Sequence, residues 1–378
     1  MARDFIMNEI VKGIPNRTRL FEAQQSLGAS FAQFRGWEMA EKYTDAVEEH
    51  LRVRSTVGLI DLSYLGVMKV GGNEGGQFLH GLVTNEIKGL EKGKGGRAAF
   101  LTGKGKVMAL CRVLGLGDEY LIINDPQTHE KVFKYVFPFS YAGDFKVEDV
   151  STGYRALSIQ GPQALLVMKE ISFEPVPELE EHGWTETIIA GQHVLVVRTS
   201  HTGELGFDIL VSEAGLQDVW DFILLKGAFH KIAPIGLLAL NSLRIEAGIP
   251  EYGIDADDSN MMLELGLTDA VSFTKGCYTG QEAVAMATYR GHVSKRLSGL
   301  LIADETLPDP GNKIIKDGKE VGQITSAVKS PSLSSVVALG YVKYGSFEPE
   351  TKLEVQHEED ILPAEVVELP FIKRDATR

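Results

Sequence analysis

The segment Lys275-Gly276-Cys277-Tyr278-Thr279-Gly280-Gln281-Glu282 is the most chemically pointed stretch of the chain. Gly276 and Gly280 let the backbone turn sharply around Cys277, and Lys275 stands two residues before it. Positive charge and unpaired backbone N–H groups stabilise a thiolate and raise its reactivity. The plainer reading is a half-buried, inert cysteine at a helix start. Arg244 is a second candidate, close to the end of an otherwise apolar helical stretch. A guanidinium there needs an acceptor, which Glu246, the helix terminus or a ligand carboxylate could supply. Lys88, Lys92, Lys94, Arg97, Lys104 and Lys106 gather on and around one expected hairpin. They form either a solvated face or an electrostatic landing site for an anionic partner.

Other chemistries are excluded by spacing. Val70-Gly71-Gly72-Asn73-Glu74-Gly75-Gly76 lacks the spacing of a dinucleotide loop, and Gly103-Lys104-Gly105-Lys106-Val107 lacks the Ser or Thr of a phosphate loop. Both read as turns. No His-Glu-x-x-His and no Cys-x-x-Cys is present, so no metal site is expected, and His357-Glu358-Glu359-Asp360 reads as a solvated acidic turn.

The elements that must position these groups are mixed. Apolar spacing by threes and fours predicts helices over 20–27, 44–57 and 75–82, the second with Ala46, Val47, Leu51 and Val53 as its apolar positions among acids and bases. Alternation with glycine punctuation predicts strands over 67–70, 98–101, 107–114, 120–123, 147–150 and 156–159. Gly161-Pro162 opens a helix, and 193–199 with 206–210 forms a hairpin. A helix over 234–247 has Pro234 in its first turn and Gly248 and Pro250 at its end. After residue 293 the texture changes to short strands, 300–302, 320–324 and 336–342, which predicts a boundary there: a domain over 1–292 and a small all-β domain over 293–378.

Length and composition bound the rest. With 378 residues, 44% of them hydrophobic and 24% charged, the chain is long enough for two or more packed cores. A net charge of −14 argues against broad binding to nucleic acid, which needs phosphate-neutralising Lys and Arg. Cys111 and Cys277 give no disulfide framework and suit a reducing compartment. The first residues lack the apolar core of a signal peptide, and the longest apolar runs, such as 235–240, fall far below the ~20 residues of a membrane span. A cytoplasmic monomer with no membrane contact is the expectation.

The eight residues 275–282 resemble the signature of the folate-binding YgfZ-type proteins, which are associated with assembly or repair of iron–sulfur enzymes. Further strings resemble the wider superfamily that contains the glycine-cleavage T-protein. They include Phe34-Arg35-Gly36-Trp37, Gly58-Leu59-Ile60-Asp61, Leu82-Val83-Thr84-Asn85-Glu86, Ser158-Ile159-Gln160-Gly161-Pro162, Thr202-Gly203-Glu204-Leu205-Gly206-Phe207 and Ser242-Leu243-Arg244-Ile245-Glu246. The likeness runs in order over about residues 18–370. It implies an α+β fold, with three ferredoxin-like subdomains around a central folate cleft and a small carboxyl-terminal β-barrel. It also implies tetrahydrofolate as cofactor, Glu204 as acceptor for the paired N–H donors of the pterin, and Asn124 on the cleft wall. Arg244 could then hold a folate carboxylate.

One departure bears on activity. T-protein enzymes carry an aspartate after the glycine-containing hairpin, near the reactive folate nitrogen. The matching stretch here, Gly105-Lys106-Val107-Met108-Ala109-Leu110-Cys111-Arg112, has no carboxylate. An iminium-like aminomethyl centre would lose its electrostatic partner there. The resemblance therefore implies a folate-binding accessory protein first, with iron–sulfur clients as partners and Cys277 and Lys275 as its reactive pair. A tetrahydrofolate-dependent aminomethyltransferase with a relocated acid–base group stands second.

Overall fold

The computed structural model describes residues 14–373, so the outer ends of the two expected domains, 1–13 and 374–378, lie outside the described residues. Two sheets dominate. The first has six strands in the order Trp184–Ile189, Gln192–Arg198, Gly206–Val211, Arg155–Gln160, Gly58–Asp61 and Ala233–Pro234. The second has five, in the order Gly95–Leu101, Val107–Gly115, Glu119–Asn124, Gly66–Gly71 and Lys146–Asp149.

Strand periodicity explains how they stack, since successive side chains point to opposite faces. On Glu119–Asn124, Leu121 and Ile123 join a core shared with Leu210, Val197 and Trp184 of the other sheet. Tyr120 and Ile122 face the other way, onto Val132 and Val136 of the helix Pro126–Val136. In the first sheet Ile60 faces the shared core, while Leu59 packs with Trp220 and Ile223 of the helix Leu216–Lys226. Each sheet thus has a helix-covered outer face and an inner face turned to its partner. A small sheet of Asn16–Arg17, Trp37–Lys42 and Ser30–Phe34 adds a third layer. Lys295–Ile302 opens a closed barrel of six strands. The α+β class with a terminal barrel is as expected. No described helix is long and apolar enough to cross a membrane.

Two expected helices differ in instructive ways. The helix Ala46–Ser55 exists, capped by the Asp45 carboxylate, which accepts from Val47 N and Glu48 N. Its packed face, however, is Glu49, His50, Val53 and Arg54, whereas Val47 and Leu51 are exposed. Polar residues take the packed face because they find partners. Glu49 accepts from Tyr43 N, Thr44 N and Gly236 N, and His50 Nδ1 lies 2.6 Å from Ser242 Oγ. The helix expected over 234–247 starts later, at Leu237–Glu246. Pro234 belongs instead to a two-residue strand beside Gly58–Leu59, and Gly236 follows because a Cβ there would meet Glu41 O at 2.3 Å.

The helix Leu237–Glu246 joins the layers. Ile245 packs with Leu297, Val337, Leu339 and Tyr341 of the barrel. Glu246, fully buried, accepts from Arg54 Nε and Nη2, from Ser332 Oγ and from Ser330 Oγ. Burial alone would raise the Glu246 pKa; His50, Ser330 and Arg54 more than offset that and bring it down to about 2. Removing one partner of a buried ion pair leaves the other charge uncompensated, which costs about 3–5 kcal/mol. Arg54→Ala should lower unfolding stability by that order in a denaturant titration, and a loss below about 1 kcal/mol would mean the network contributes little.

Candidate functional site

Where the two inner faces diverge, a cavity of about 240 Å³ opens between the sheets. A second chamber of about 150 Å³ adjoins it, and Tyr64, His201, Leu240, Ile249 and Pro250 line both. The strand Val107–Gly115 lends Leu110, Cys111 and Arg112 to the first chamber. The end of Glu119–Asn124 adds Ile123 and Asn124, and the turn after Gln192–Arg198 adds Thr199, Ser200 and His201. Arg244, Asn241 and Leu237, from the helix that meets the barrel, border the second chamber.

Sequence parity accounts for the charged groups here. Arg112 shares a strand face with Leu114, and Asp208 shares one with Leu210, so both lie on the inner faces. Arg112 Nη1 meets Asp208 Oδ2 at 2.5 Å across the gap between the sheets. His201 reaches the same carboxylate, with Nε2 3.0 and 3.1 Å from its two oxygens. Burial would raise the Asp208 pKa, but His201 and Arg112 outweigh it and hold the carboxyl well below the usual range. An anion and a cation therefore stand at the chamber, and the Arg112 and His201 side chains both line it. A third ion cluster borders the second chamber. Arg35 pairs with Asp125 and with Glu251 at 2.7 Å, and donates to Tyr252 O.

The residues singled out from sequence divide between this site and elsewhere. Asn124 lines the first chamber, with Nδ2 donating to Thr128 Oγ1 and Oδ1 2.9 Å from His129 Nδ1. Arg244 lines the second chamber, but its guanidinium is already engaged by Asp255, Ser326 Oγ and Glu251 rather than by Glu246. Glu204 is only 6% exposed and accepts from Arg54 Nη1 at 2.8 Å. It is not among the residues lining either chamber. The Thr202–Gly203–Glu204 turn folds back onto the helix Ala46–Ser55, where Arg54 also donates to Thr202 O and Glu246.

The 275–282 loop lies apart from both chambers. Lys275 is buried, and its ammonium donates to His80 O, Val83 O and Asn85 O at 2.6–2.8 Å. Burial pushes its pKa down to about 8, with Glu86 opposing. All three of its N–H donors are thus committed to carbonyls, which anchors the loop. Tyr278 packs with Ala99, Leu101 and Val107. Gly280, at φ +80°, lies so close to the Gly103–Gly105 turn that a Cβ would meet Thr102 O at 2.6 Å. Gln281 and Glu282 begin the helix Gln281–Arg290, with Glu282 in its first turn. Gly276 and Cys277 are exposed at the tip.

The basic cluster is largely neutralised. Lys92, Lys94 and Arg97 pair with Glu186, Glu180 and Asp269, and Lys106 donates to Ser259 O. Arg97 is the member that reaches the first chamber. The residues that sequence reading missed are Arg112, Asp208, His201 and Arg35. A charged residue inside an apolar alternation was the available signal for the first two.

Comparison with known proteins places this geometry. Residues 20–275 match the GCVT N-terminal domain, and residues 295–373 match the glycine cleavage T-protein C-terminal barrel domain. The aminomethyltransferase of Halothermothrix orenii is 32% identical over 357 residues, which cover 94% of this chain and 99% of that protein. The aminomethyltransferase of Moorella thermoacetica is 31% identical over 362 residues, covering 95% and 98%. The crystal structure of the glycine cleavage system aminomethyltransferase T from Bartonella henselae superposes with a TM-score of 0.87 over 94% of this chain and 98% of that one. At 24% identity that likeness establishes the fold alone.

The two thiols differ sharply. Cys111 is buried, donates to Ala98 O, and is pushed up to about 12 by burial, whereas Cys277 is exposed. Since the thiolate is the reacting species, iodoacetamide near neutral pH should label Cys277 at least about tenfold faster than Cys111, read by peptide mass spectrometry. Equal rates would contradict the placement of both.

Proposed function

The chain belongs to the glycine cleavage T-protein family, and on that premise we propose that it binds tetrahydrofolate between its two sheets and transfers a one-carbon unit at the aminomethyl level. The observation that carries this reading is the pair of joined chambers. Their walls are apolar and aromatic, as a flat pterin and benzoyl system requires, with a few convergent polar groups at Asn124, Arg112 and His201. The aminomethyltransferase name of the relatives supports the reaction class. Tetrahydrofolate supplies the nucleophilic nitrogen; the protein encloses it and excludes water. Arg97, at the mouth of the first chamber, is placed to meet an anionic tail. No carboxylate comes from the strand Val107–Gly115, so proton handling differs from that of enzymes with an aspartate there.

The 275–282 loop favours a second reading, the iron–sulfur-maintenance role of YgfZ-type proteins. Lys275, Tyr278 and Gly280 are all used to pin the loop, yet Cys277 is left exposed at its tip. Packing needs no cysteine at such a position.

The two readings separate experimentally. Protein supplied with tetrahydrofolate and an aminomethylated lipoyl carrier should form methylenetetrahydrofolate. Leu110→Trp, which fills the first chamber, should abolish formation without changing the melting temperature by more than a few degrees. Cys277→Ser should leave that rate within about twofold. No product from a protein that binds folate would sink the transferase reading. Failure of Cys277→Ser to restore iron–sulfur enzyme activity in a deletion strain would then favour the second.

A further inference from the structure

His201 occupies an unusual place. It lies on the turn between Gln192–Arg198 and Gly206–Val211, and it is one of the few residues lining both chambers. Its backbone is fixed, because His201 N and Thr202 Oγ1 both donate to Gln160 Oε1. Gln160 is itself buried, and its Nε2 donates to Ser158 Oγ and Thr199 O. The imidazole is fixed as well, through Nε2 and the fully buried Asp208.

A carboxylate with its pKa held low accepts hydrogen bonds and cannot donate them, so Nε2 must carry a hydrogen. In the neutral ring that leaves Nδ1 as a base. Among the described residues, nothing hydrogen-bonds to His201 Nδ1, although the side chain is three-quarters covered. The other charged group on Asp208 is Arg112, which neutralises the carboxylate from the opposite sheet. His182, the nearby second imidazole, is held neutral because burial and then Arg97 and Arg112 bring its pKa down to about 3. The arrangement is an imidazole oriented by a carboxylate, with its free nitrogen available at the junction of two cavities.

We propose that His201, oriented by Asp208, is the proton-transferring residue of this chain, acting at the junction of the two chambers in place of a carboxylate on the strand Val107–Gly115. The inference rests on the folate-transfer reading above. In the step, a folate N–H nitrogen uses its lone pair to bond the methylene carbon of an aminomethyl donor. The carbon–sulfur bond to the lipoyl carrier breaks, its electron pair leaving on sulfur; the second folate nitrogen then bonds the same carbon as its bond to the amine breaks, that pair leaving on the amine, which departs as ammonia. Each folate nitrogen gives up one proton, which passes through His201 Nδ1, the first to the thiolate and the second to the amine. Atoms and charge balance, and no oxidant or reductant takes part. A positioned general base of this kind contributes roughly 10²–10⁴-fold to a rate.

The test uses the full chain with ¹⁵N-histidine, assigned through His201→Gln, and tetrahydrofolate as probe. Long-range proton–nitrogen spectra of the neutral ring, recorded above the pH at which its imidazolium deprotonates, should show the His201 proton at Nε2 and Nδ1 bare, with the Nδ1 signal moving on folate saturation. Folate binding by His201→Gln, read by tryptophan fluorescence, sets the concentration at which its turnover is measured, so that both proteins are compared at saturation. Methylenetetrahydrofolate formation by the variant should fall at least about 100-fold, in line with the loss of a general base. Asp208→Asn should shift the tautomer towards Nδ1–H and slow transfer while its melting curve stays cooperative. Folate binding with an unmoved Nδ1 signal, or a His201→Gln rate within about fivefold of the parent, would overturn the assignment. No folate binding by the parent would instead overturn the folate-transfer reading, and this inference with it.

Discussion

The Arg112–Asp208 pair sets the character of the molecule's centre. Two inner sheet faces that were apolar throughout would pack together at about 10 Å and leave no room between them. Here Arg112 and Asp208, one from each inner face, meet at 2.5 Å across the gap. Such a pair is expensive to desolvate and is not favoured by stability alone. Its presence among Leu110, Ile123 and Leu240 keeps polar chemistry inside an otherwise apolar cavity. The same carboxylate orients His201, so one buried charge both neutralises a cation and aims a base.

A second ionic network explains why the cavity keeps its floor. The helix Leu237–Glu246 borders the second chamber through Leu237, Leu240, Asn241 and Arg244. Its far end is tied by Glu246 to Arg54 and to Ser330 and Ser332 of the barrel, and by Arg244 to Asp255 and Ser326. Glu204 completes the Arg54 cluster and thereby fixes the turn that carries His201. The barrel therefore supports the site at one remove: its serines hold the carboxylate that holds the arginine that holds the turn. This division assigns Glu204 and Arg244 to the frame and leaves His201, Asn124 and Arg112 facing the space.

Much of this frame was legible in the sequence. Alternation marked the five strands of the second sheet and three of the six in the first, missing Gly58–Asp61, Trp184–Ile189 and Ala233–Pro234. The barrel begins at Lys295. The helix Ala46–Ser55 was located, but its apolar spacing did not show its packed face, since Glu49, His50 and Arg54 are buried by partners nearly two hundred residues away. Pro234 was misplaced because a two-residue strand carries no pattern of its own. The centre of the site was missed for a related reason. The hairpin over 193–210 brings His201 to Asp208, but Arg112 joins them only once the two sheets are stacked, and no spacing along the chain encodes that stacking. Cys277 was visible by type, whereas the burial of Lys275 under three carbonyls was not.

The central claim is positional: reduced folate occupies the space between the two sheets, beside the His201–Asp208 pair. A crystal soaked with 5-formyltetrahydrofolate, a stable reduced folate, tests it directly. The account predicts difference density for the ring system in the first chamber, against Leu110 and Tyr64, with a polar atom within hydrogen-bonding distance of His201 Nδ1. Density at the 275–282 loop or on the barrel, with both chambers empty at saturating ligand, would contradict it.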